Sequence, residues 1–284
     1  MSRSAARKPT FLFIGAGKTG SKWLHDIMLQ HAEIYVPTIA DPYYFDRLYH
    51  KGMDWYLRLF AGAPAEAKAI GELSHDYLHS RVAAERVKAD LPGVRLLVCL
   101  RNPMDHIISS YLGLVRAGAT KATLSEALDE FPELLEEPSY AEHLETWFEL
   151  FDRSQIRVLL YDDLRASPKE FAREVFDFLG VSTPDSIDYD RVVNSSTQPR
   201  SYLVSRVVRV GKNAARKAGF VGLVGTVKRN QRVWNLLYRP TDPVEKPRLS
   251  EADHARLAPR FREEIGRLSA LIGRDLSAWE KDWA

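Results

Sequence analysis

Short apolar runs alternate with amphipathic stretches along most of this sequence. A strand that is covered on both faces of a parallel sheet carries few polar positions, so these runs predict buried strands. We expect strands at residues 11–14, 34–36, 94–100 and 156–161. Apolar residues at helical spacing occupy stretches between them, at residues 21–31, 54–60, 82–90, 104–115 and 168–179. Strands that alternate with helices predict an α/β fold with a central parallel sheet flanked by helices.

The remaining segments are also helical in pattern. Residues 124–151 are acidic, and the segment 250–283 has the pattern of a long amphipathic helix followed by the stretch at residues 275–279. No stretch rich in Pro, Ser and Gly divides the chain convincingly. We therefore predict a single domain over residues 10–284, after a flexible N-terminal tail of residues 1–9.

The composition indicates a folded protein whose charge is unevenly distributed. Hydrophobic residues make up 45% of the chain and charged residues 27%, which allows a sizeable core. The net charge of +2 gives no reason to expect a nucleic-acid partner. Between Asn194 and Arg248, twelve basic and two acidic residues give +10, which leaves −8 for the remainder. This basic segment, helical over about residues 200–240, either forms a solvated helix face or contacts an anionic acceptor or a membrane surface.

Cys99 is the one cysteine of the sequence, and it stands in an apolar run. A single cysteine excludes an internal disulfide and a metal site built from several cysteines, and it fits a reducing compartment. The apolar run at residues 11–14 is too short for a signal peptide or a membrane span. We therefore expect a cytoplasmic protein.

The first predicted strand leads into a glycine-rich turn, in the stretch FLFIGAGKTGSKWL. Gly15, Gly17 and Gly20 allow backbone N–H groups to approach an anion at the start of the next helix, and Lys18 adds positive charge. An ATP-binding loop would carry a glycine five residues before Gly17, where Leu12 stands. The turn predicts a phosphate-binding loop; the alternative is an ordinary glycine turn with a solvated lysine.

A second candidate site, RNPMDHIISSYL, follows the strand at residues 94–100. Arg101 stands at the carboxyl end of that strand, where parallel sheets bind ligands, and its guanidinium can bind a phosphate with two hydrogen bonds. Asp105 and Ser109 are four residues apart and share a helix face, so Ser109 can offer its hydroxyl to the same anion while Asp105 orients or caps. Alternatively, Asp105 merely caps the helix and Ser109 is an ordinary surface serine.

Together, the two stretches resemble the sulfotransferases that use 3′-phosphoadenosine 5′-phosphosulfate (PAPS). The run Lys18-Thr19-Gly20-Ser21-Lys22-Trp23 is similar to the family's Lys-[Thr/Ser]-Gly-Thr-Thr loop, which is often followed by Trp. The family's 3′-phosphate motif is Arg-Asn-Pro-x-Asp-Arg-x-x-Ser-x-Tyr, which residues 101–111 match except at His106, where the family has its second arginine. Weaker likenesses lie at residues 161–164, 176–180 and 275–279, so the resemblance covers most of the chain.

The resemblance implies the P-loop-like α/β sulfotransferase fold, PAPS as the sulfuryl donor, and no metal requirement. It places the 5′-phosphosulfate on the glycine loop, with Lys18 next to the leaving oxygen, and the 3′-phosphate on Arg101 and Ser109. Trp23 either stacks on adenine or is an ordinary core residue, and Lys22 either contacts PAPS or points into solvent. The predicted cofactor-binding residues are Gly17, Lys18, Thr19, Gly20, Ser21, Lys22, Trp23, Arg101, Ser109 and, in a cationic loop, Arg200.

Glu72 and His75 are the two candidates for the catalytic base, beside Lys18 as the third catalytic residue. Residues 70–78 resemble the Gly-Glu-Lys-Ser-Pro-x-Tyr segment of carbohydrate-type sulfotransferases, in which the glutamate takes the acceptor's proton. This likeness favours Glu72. His75 competes with it, because cytosolic members use a histidine in this neighbourhood. In the third interpretation, both side chains are solvated on a surface turn. Residues 40–45 resemble a Lys-Glu-Pro-x-x-Phe stretch near the acceptor, with Ala40 in place of the lysine.

The predicted function is sulfuryl transfer from PAPS, by in-line displacement, to a hydroxyl, or less favourably an amine, of a carbohydrate, lipid-linked or natural-product acceptor. A P-loop kinase of small molecules is the alternative enzyme, but it needs the full loop spacing and an acidic residue at a strand end to hold magnesium. A non-catalytic nucleotide-binding or membrane-surface module is the alternative outside enzymes.

Overall fold

Five strands form a parallel sheet in the computed structural model, which describes residues 7–39, 41–191, 197–199, 238–240 and 247–283. They are β1 (Phe11–Gly15), β2 (Ile34–Tyr35), β3 (Ala69–Leu73), β4 (Arg95–Leu100) and β5 (Ile156–Leu160). Their order in the sheet is β2-β3-β1-β4-β5, and all neighbouring pairs are parallel. The predicted α/β fold with a parallel sheet is therefore confirmed. The apolar pattern did not reveal β3, because Gly71 and Glu72 interrupt its apolar run.

Ten α-helices lie within the described residues. They are α1 (Ser21–Gln30), α2 (Met53–Leu57), α3 (Arg81–Asp90), α4 (Pro103–Arg116), α5 (Leu124–Glu130), α6 (Glu133–Glu136), α7 (Tyr140–Leu150), α8 (Tyr161–Ala166), α9 (Pro168–Leu179) and α10 (Glu251–Ile272). Short helices of other types occupy Tyr44–Leu48, Tyr49–Lys51, Arg58–Phe60, Tyr77–His79, Arg153–Gln155 and Ser277–Trp283. The predicted C-terminal amphipathic helix is α10, and Gly273, with a left-handed φ of 67°, ends it before the stretch at residues 275–279.

The chain divides into two compact units. Unit 1 comprises residues 1–100 and 145–193 and contains the whole parallel sheet, and unit 2 comprises residues 101–144 and 194–284. The single domain and the flexible tail stay predictions. Of that tail, residues 7–9 are described, and Arg7 donates a hydrogen bond to the backbone oxygen of Ala67 at 2.9 Å.

The core of unit 1 joins the sheet to α1 and α9. β1 is buried along its whole length, as expected for a central strand. The buried face of α1 consists of Trp23, Leu24, Ile27 and Met28, and that of α9 of Phe171, Ala172, Val175, Phe176 and Leu179. These positions follow the three- and four-residue spacing of one helix face. Their burial fixes the N-terminus of α1 at the end of β1.

Unit 2 contains α4, α5, α6, α10 and an antiparallel pair of strands, β6 (Thr197–Pro199) and β7 (Tyr238–Pro240). Leu257, Phe261 and Leu268 are buried along α10. The predicted basic helical segment at about residues 200–240 lies almost entirely outside the described residues. Among the helices of the described ranges, none is both long enough and apolar enough to cross a membrane.

Candidate active site

The glycine loop that joins β1 to α1 is packed closely against its surroundings in unit 1. A Cβ on Gly15 would lie 2.6 Å from the Cβ of Leu78, and a Cβ on Gly20 would lie 2.4 Å from Cδ2 of Leu164. Gly20 also has a φ of 89°, which residues with a side chain rarely adopt. These two positions therefore require glycine, and they hold the loop at the end of the sheet.

The loop ends at a helix terminus that is suited to an anion. In the part of the chain that the structure describes, no side chain caps the N-terminus of α1. The first backbone N–H groups of a helix have no partner inside the helix, and the helix dipole adds positive potential there. Lys18, in the loop, and Ser21, at the start of α1, are half-buried. This arrangement can bind a phosphate or a sulfuryl group.

Three of the predicted cofactor-binding side chains differ from Lys18 and Ser21 in burial: Thr19 and Trp23 are buried, and Lys22 is exposed. The Thr19 hydroxyl is buried and donates to the backbone oxygen of Ala16 at 2.7 Å, so it closes the loop on itself. The Trp23 side chain is 7% exposed, and its indole N–H donates to the backbone oxygen of Tyr189 at 3.1 Å. Lys22 is exposed. The contacts of Trp23 fit its core interpretation, the exposure of Lys22 fits both of its interpretations, and binding of PAPS by the three side chains stays a prediction.

Glu72 lies on β3 inside a group of hydroxyls. Its side chain is 1% exposed. The carboxyl accepts hydrogen bonds from the hydroxyls of Ser74 at 2.7 Å, Tyr77 at 2.9 Å and Tyr56 at 3.4 Å. Burial, reinforced by the negative charge of Asp41 and opposed by the hydroxyls, raises the pKa of Glu72 to about 8. The carboxyl is therefore largely protonated at neutral pH.

His75 follows β3 and lies between two carboxylates. Its side chain is 31% exposed. Nδ1 lies 2.9 Å from an Asp41 carboxylate oxygen, and Nε2 lies 3.2 Å from an Asp76 carboxylate oxygen and 3.1 Å from the Tyr43 hydroxyl. Burial alone would lower the pKa of His75, and the charge of Lys18 acts in the same direction, but the two carboxylates outweigh them and the net shift of the pKa is upward.

The His75 ring stands beside the glycine loop. A Cβ on Gly17 would lie 3.0 Å from Cδ2 of the imidazole, so the ring edge covers this glycine. The backbone N–H of Ser74 donates to the backbone oxygen of Phe13 at 2.9 Å and ties the end of β3 to β1. The structure therefore brings the loop, Lys18 and His75 together, whereas Glu72 is enclosed by its hydroxyl partners.

The second predicted motif lies in unit 2, at the start of α4. The Arg101 guanidinium donates to an Asp105 carboxylate oxygen at 3.1 Å, so Asp105 orients the arginine. The Asn102 side-chain oxygen accepts from the backbone N–H of Met104 at 3.0 Å and caps the helix, a role that one interpretation gave to Asp105. Ser109 is half-buried one turn after Asp105.

Two further positions bear on the predicted 3′-phosphate site: His106, which departs from the family motif, and Arg200. His106, where the family has arginine, is fully buried, with Nδ1 2.9 Å from the Tyr140 hydroxyl and Nε2 3.1 Å from a Glu137 carboxylate oxygen. It therefore contributes to the packing of unit 2. Arg200 lies outside the described residues, and its contact with the 3′-phosphate stays a prediction.

Sequence analysis did not single out Asp41 and Tyr43 as site residues. Both have left-handed backbone conformations, with φ of 59° and 53°. Both belong to the stretch in which Ala40 stands where the family has a lysine. The acidic residue next to that position is the sequence signal that could have revealed Asp41. Within the described ranges, no group of three or more His, Cys, Asp or Glu side chains is placed to hold a metal ion.

A parallel α/β sheet with an anion-binding glycine loop after its first strand defines the class of α/β proteins that bind phosphate-bearing ligands at strand ends. A family model described as the sulfotransferase domain matches residues 8–201. The chain therefore belongs to the sulfotransferase family, which uses PAPS as its sulfate donor.

Relatives agree with this membership, and a solved structure agrees with the fold. Mouse bifunctional heparan sulfate N-deacetylase/N-sulfotransferase 1 is 31% identical over 214 residues, covering 67% of this chain and 24% of the relative. Mouse heparan sulfate glucosamine 3-O-sulfotransferase 3A1 is 28% identical over 190 residues, covering 64% of this chain and 48% of the relative. The chain thus spans about a quarter to a half of the length of these relatives. The crystal structure of a sulfotransferase from Alicyclobacillus acidocaldarius has the same fold, with a TM-score of 0.70 and 24% identity, covering 97% of this chain and all of the other.

Proposed function

We propose that this chain transfers a sulfuryl group from PAPS to a hydroxyl, in preference to an amine, of a carbohydrate, lipid-linked or natural-product acceptor. One observation carries the proposal: in unit 1, the glycine loop, Lys18 and the His75 imidazole lie together at the ends of β1 and β3. An anion site thus adjoins a group that can accept a proton, in a chain that belongs to the sulfotransferase family.

The residues fit the charge of the donor. The backbone N–H groups of the loop and of the first turn of α1, together with Lys18, would hold the 5′-phosphosulfate. Arg101 and Ser109 would hold the 3′-phosphate, with Arg101 oriented by its ion pair with Asp105. A phosphate at the 3′ position is what distinguishes PAPS from other adenylates, so these two residues would select the donor.

Electrostatics and positioning would supply most of the catalysis, as in phosphoryl transfer. PAPS supplies the sulfuryl group and a phosphate oxygen as the leaving group. Lys18 would neutralise the negative charge that develops on that oxygen. The tightly packed glycine loop would hold the phosphosulfate so that the acceptor oxygen, the sulfur and the leaving oxygen lie in line. Either Glu72 or His75 would take the acceptor's proton.

The names of the two mouse relatives point to the first acceptors to test. Both enzymes are named for heparan sulfate, one for sulfation of nitrogen and the other for sulfation of oxygen. By that likeness we propose a glycan as the acceptor class. We further propose a cytoplasmic location and contact of the basic segment at about residues 200–240 with an anionic acceptor or a membrane surface.

Calorimetric titration with 3′-phosphoadenosine 5′-phosphate (PAP) and with AMP tests the donor site. We expect PAP to bind at least about tenfold more tightly than AMP, since a hydrogen bond to a charged group contributes about 1.5–3 kcal/mol. Lys18→Ala and Arg101→Ala should each weaken PAP binding by a similar factor, whereas Lys8→Ala, at an exposed lysine outside the loop, should not. Equal affinity for PAP and AMP would remove the main support of the proposal, and tight magnesium-dependent binding of ATP would favour the kinase.

Incubation with isotopically labelled PAPS tests the acceptor class. The acceptor panel consists of heparan sulfate, N-deacetylated heparan sulfate, neutral oligosaccharides and small phenols and alcohols. We expect label in at least one glycan, and mass spectrometry then identifies the sulfated atom. Label confined to the non-carbohydrate acceptors would overturn the glycan proposal and leave the sulfotransferase proposal standing.

A further inference from the structure

We infer that Asp41 and His75 form the proton-accepting pair of this site. In this pair His75 takes the acceptor's proton, Asp41 is a positioning residue that orients the imidazole, and Glu72 is a buried structural acid. The inference rests on the proposed function, in which the base is not yet assigned between Glu72 and His75.

The hydrogen bond from His75 to Asp41 determines which ring nitrogen is available. The Asp41 carboxylate oxygen is hydrogen-bonded to Nδ1 at 2.9 Å and is closer than the Asp76 oxygen, 3.2 Å from Nε2, so it favours the tautomer with the proton on Nδ1 and the lone pair on Nε2. The Cδ2 edge of the ring, which includes Nε2, is next to the glycine loop, since a Cβ on Gly17 would lie 3.0 Å from Cδ2 and 3.8 Å from both Cγ and Nε2. The Tyr43 hydroxyl, 3.1 Å from Nε2, is a group that an acceptor hydroxyl would replace there.

The backbone around Asp41 is built to hold this carboxylate in place. The backbone N–H of Asp41 donates to the backbone oxygen of Leu73 at 3.0 Å, and that of Tyr43 donates to the Ser74 hydroxyl at 3.0 Å. Both bonds tie the segment to the end of β3, immediately before His75. The φ of 59° at Asp41 is uncommon for a residue with a side chain, and such conformations persist where surrounding contacts fix them.

Glu72 has the opposite surroundings. A general base must come within hydrogen-bond reach of the proton that it takes. The Glu72 side chain is 1% exposed, and its carboxyl is enclosed by the hydroxyls of Ser74, Tyr77 and Tyr56. Contact with an acceptor would require this buried group to open, whereas the His75 side chain is already 31% exposed beside the loop.

The step balances in atoms and charge. The acceptor oxygen forms a bond to sulfur while the bond from sulfur to the bridging phosphate oxygen breaks, and the bridging oxygen keeps the electron pair. The acceptor's proton passes to Nε2 of His75, and the resulting imidazolium is stabilised by Asp41 through Nδ1–H. The charges of Asp76 and Lys18 also act on the ring. Arg47 in turn forms an ion pair with Asp76.

Nitrogen NMR of the His75 ring tests the pair without any acceptor. The full chain is studied bound to PAP, as wild type, Asp41→Asn and the matched control Asp76→Asn, which removes the carboxylate at the other ring nitrogen. We expect the Nδ1–H tautomer in wild type and Asp76→Asn, its loss in Asp41→Asn, and a lower His75 pKa in Asp41→Asn than in wild type. An unchanged tautomer and pKa in Asp41→Asn would overturn the role of Asp41.

Kinetics with an acceptor from the labelling panel test the assignment of the base. His75→Gln should lower kcat by about 100-fold or more at unchanged PAP affinity, the usual contribution of a general base. Asp41→Asn should lower kcat by about tenfold or more and move the acid limb of the pH profile to lower pH, with partial recovery in Asp41→Glu. Glu72→Gln should stay within about threefold of wild type.

Two results separate failure of this inference from failure of the proposed function. Loss of transfer in Glu72→Gln together with near-normal transfer in His75→Gln would overturn the pair while sulfuryl transfer itself stands. A wild-type chain that neither binds PAP nor consumes PAPS with any acceptor of the panel would overturn the proposed function, and the inference with it.

Discussion

At the scale of single residues, Glu72 shows how burial changes the chemistry of a carboxyl. Its hydroxyl partners stabilise the ionised form, but the loss of water around the group has the larger effect, and the pKa rises to about 8. His75, only three residues away, combines partial exposure with a carboxylate partner. The two candidate bases of the sequence thus have different surroundings, and the pH dependence of stability distinguishes them.

Glu72→Gln should reduce the loss of stability that accompanies a rise in pH from about 5 to about 8. Below about pH 4.5 the carboxyl is protonated in both the folded and the unfolded chain, so its ionisation does not change the free energy of unfolding. Between pH 4.5 and the folded pKa of about 8, the unfolded chain gives up the proton while the folded chain keeps it, so stability falls as the pH rises. Between pH 5 and pH 8.5, the free energy of unfolding of wild type should fall by on the order of a few kcal/mol more than that of Glu72→Gln. Urea unfolding followed by tryptophan fluorescence measures this, and parallel losses in the two proteins would contradict it.

At the scale of elements, the Arg-Asn-Pro stretch starts α4 and anchors it. Pro103 occupies the first turn, where its missing N–H costs no hydrogen bond, and Asn102 caps the helix. The Asn102 side-chain amide also donates to the backbone oxygen of Trp279 at 2.8 Å, within unit 2. The second residue of the motif therefore has a structural role, whereas Arg101 has the side chain suited to an anion.

Asn102→Ala should destabilise the protein by more than the loss of a helix cap alone would. The cap contributes about 1 kcal/mol. The Trp279 carbonyl would also lose its partner, at a cost of about 1–3 kcal/mol, so we expect a total of about 2–4 kcal/mol. Ser80→Ala is the matched control, because the Ser80 hydroxyl caps α3 by accepting from the backbone N–H of Ala83 at 3.1 Å. Equal losses in urea unfolding would show that the Trp279 contact contributes nothing.

At the scale of the whole molecule, binding of the donor product should be coupled to stability. A ligand that binds the folded chain alone, at 100 times its Kd, stabilises it by about 2.7 kcal/mol. We therefore expect PAP at that concentration to raise the melting temperature by several degrees, and AMP at the same concentration to have a smaller effect. In Lys18→Ala, the same PAP concentration should give a clearly smaller shift. A scan in which PAP and AMP give equal shifts would contradict the predicted 3′-phosphate site.

The sequence by itself determined four of the five strands and most helix boundaries, and it contains both stretches that predict phosphate binding. These features are local: apolar runs, helical spacing, Gly and Pro signals and the run from Gly15 to Trp23 need no distant partner. The tertiary structure alone revealed β3, because only the folded chain places the hydroxyls of Ser74, Tyr77 and Tyr56 around its polar Glu72. It also decided the surroundings of Trp23 and paired Asp41 with His75 across 34 positions of sequence. Burial and charge pairing depend on which side chains the fold brings together, and no local pattern contains that information.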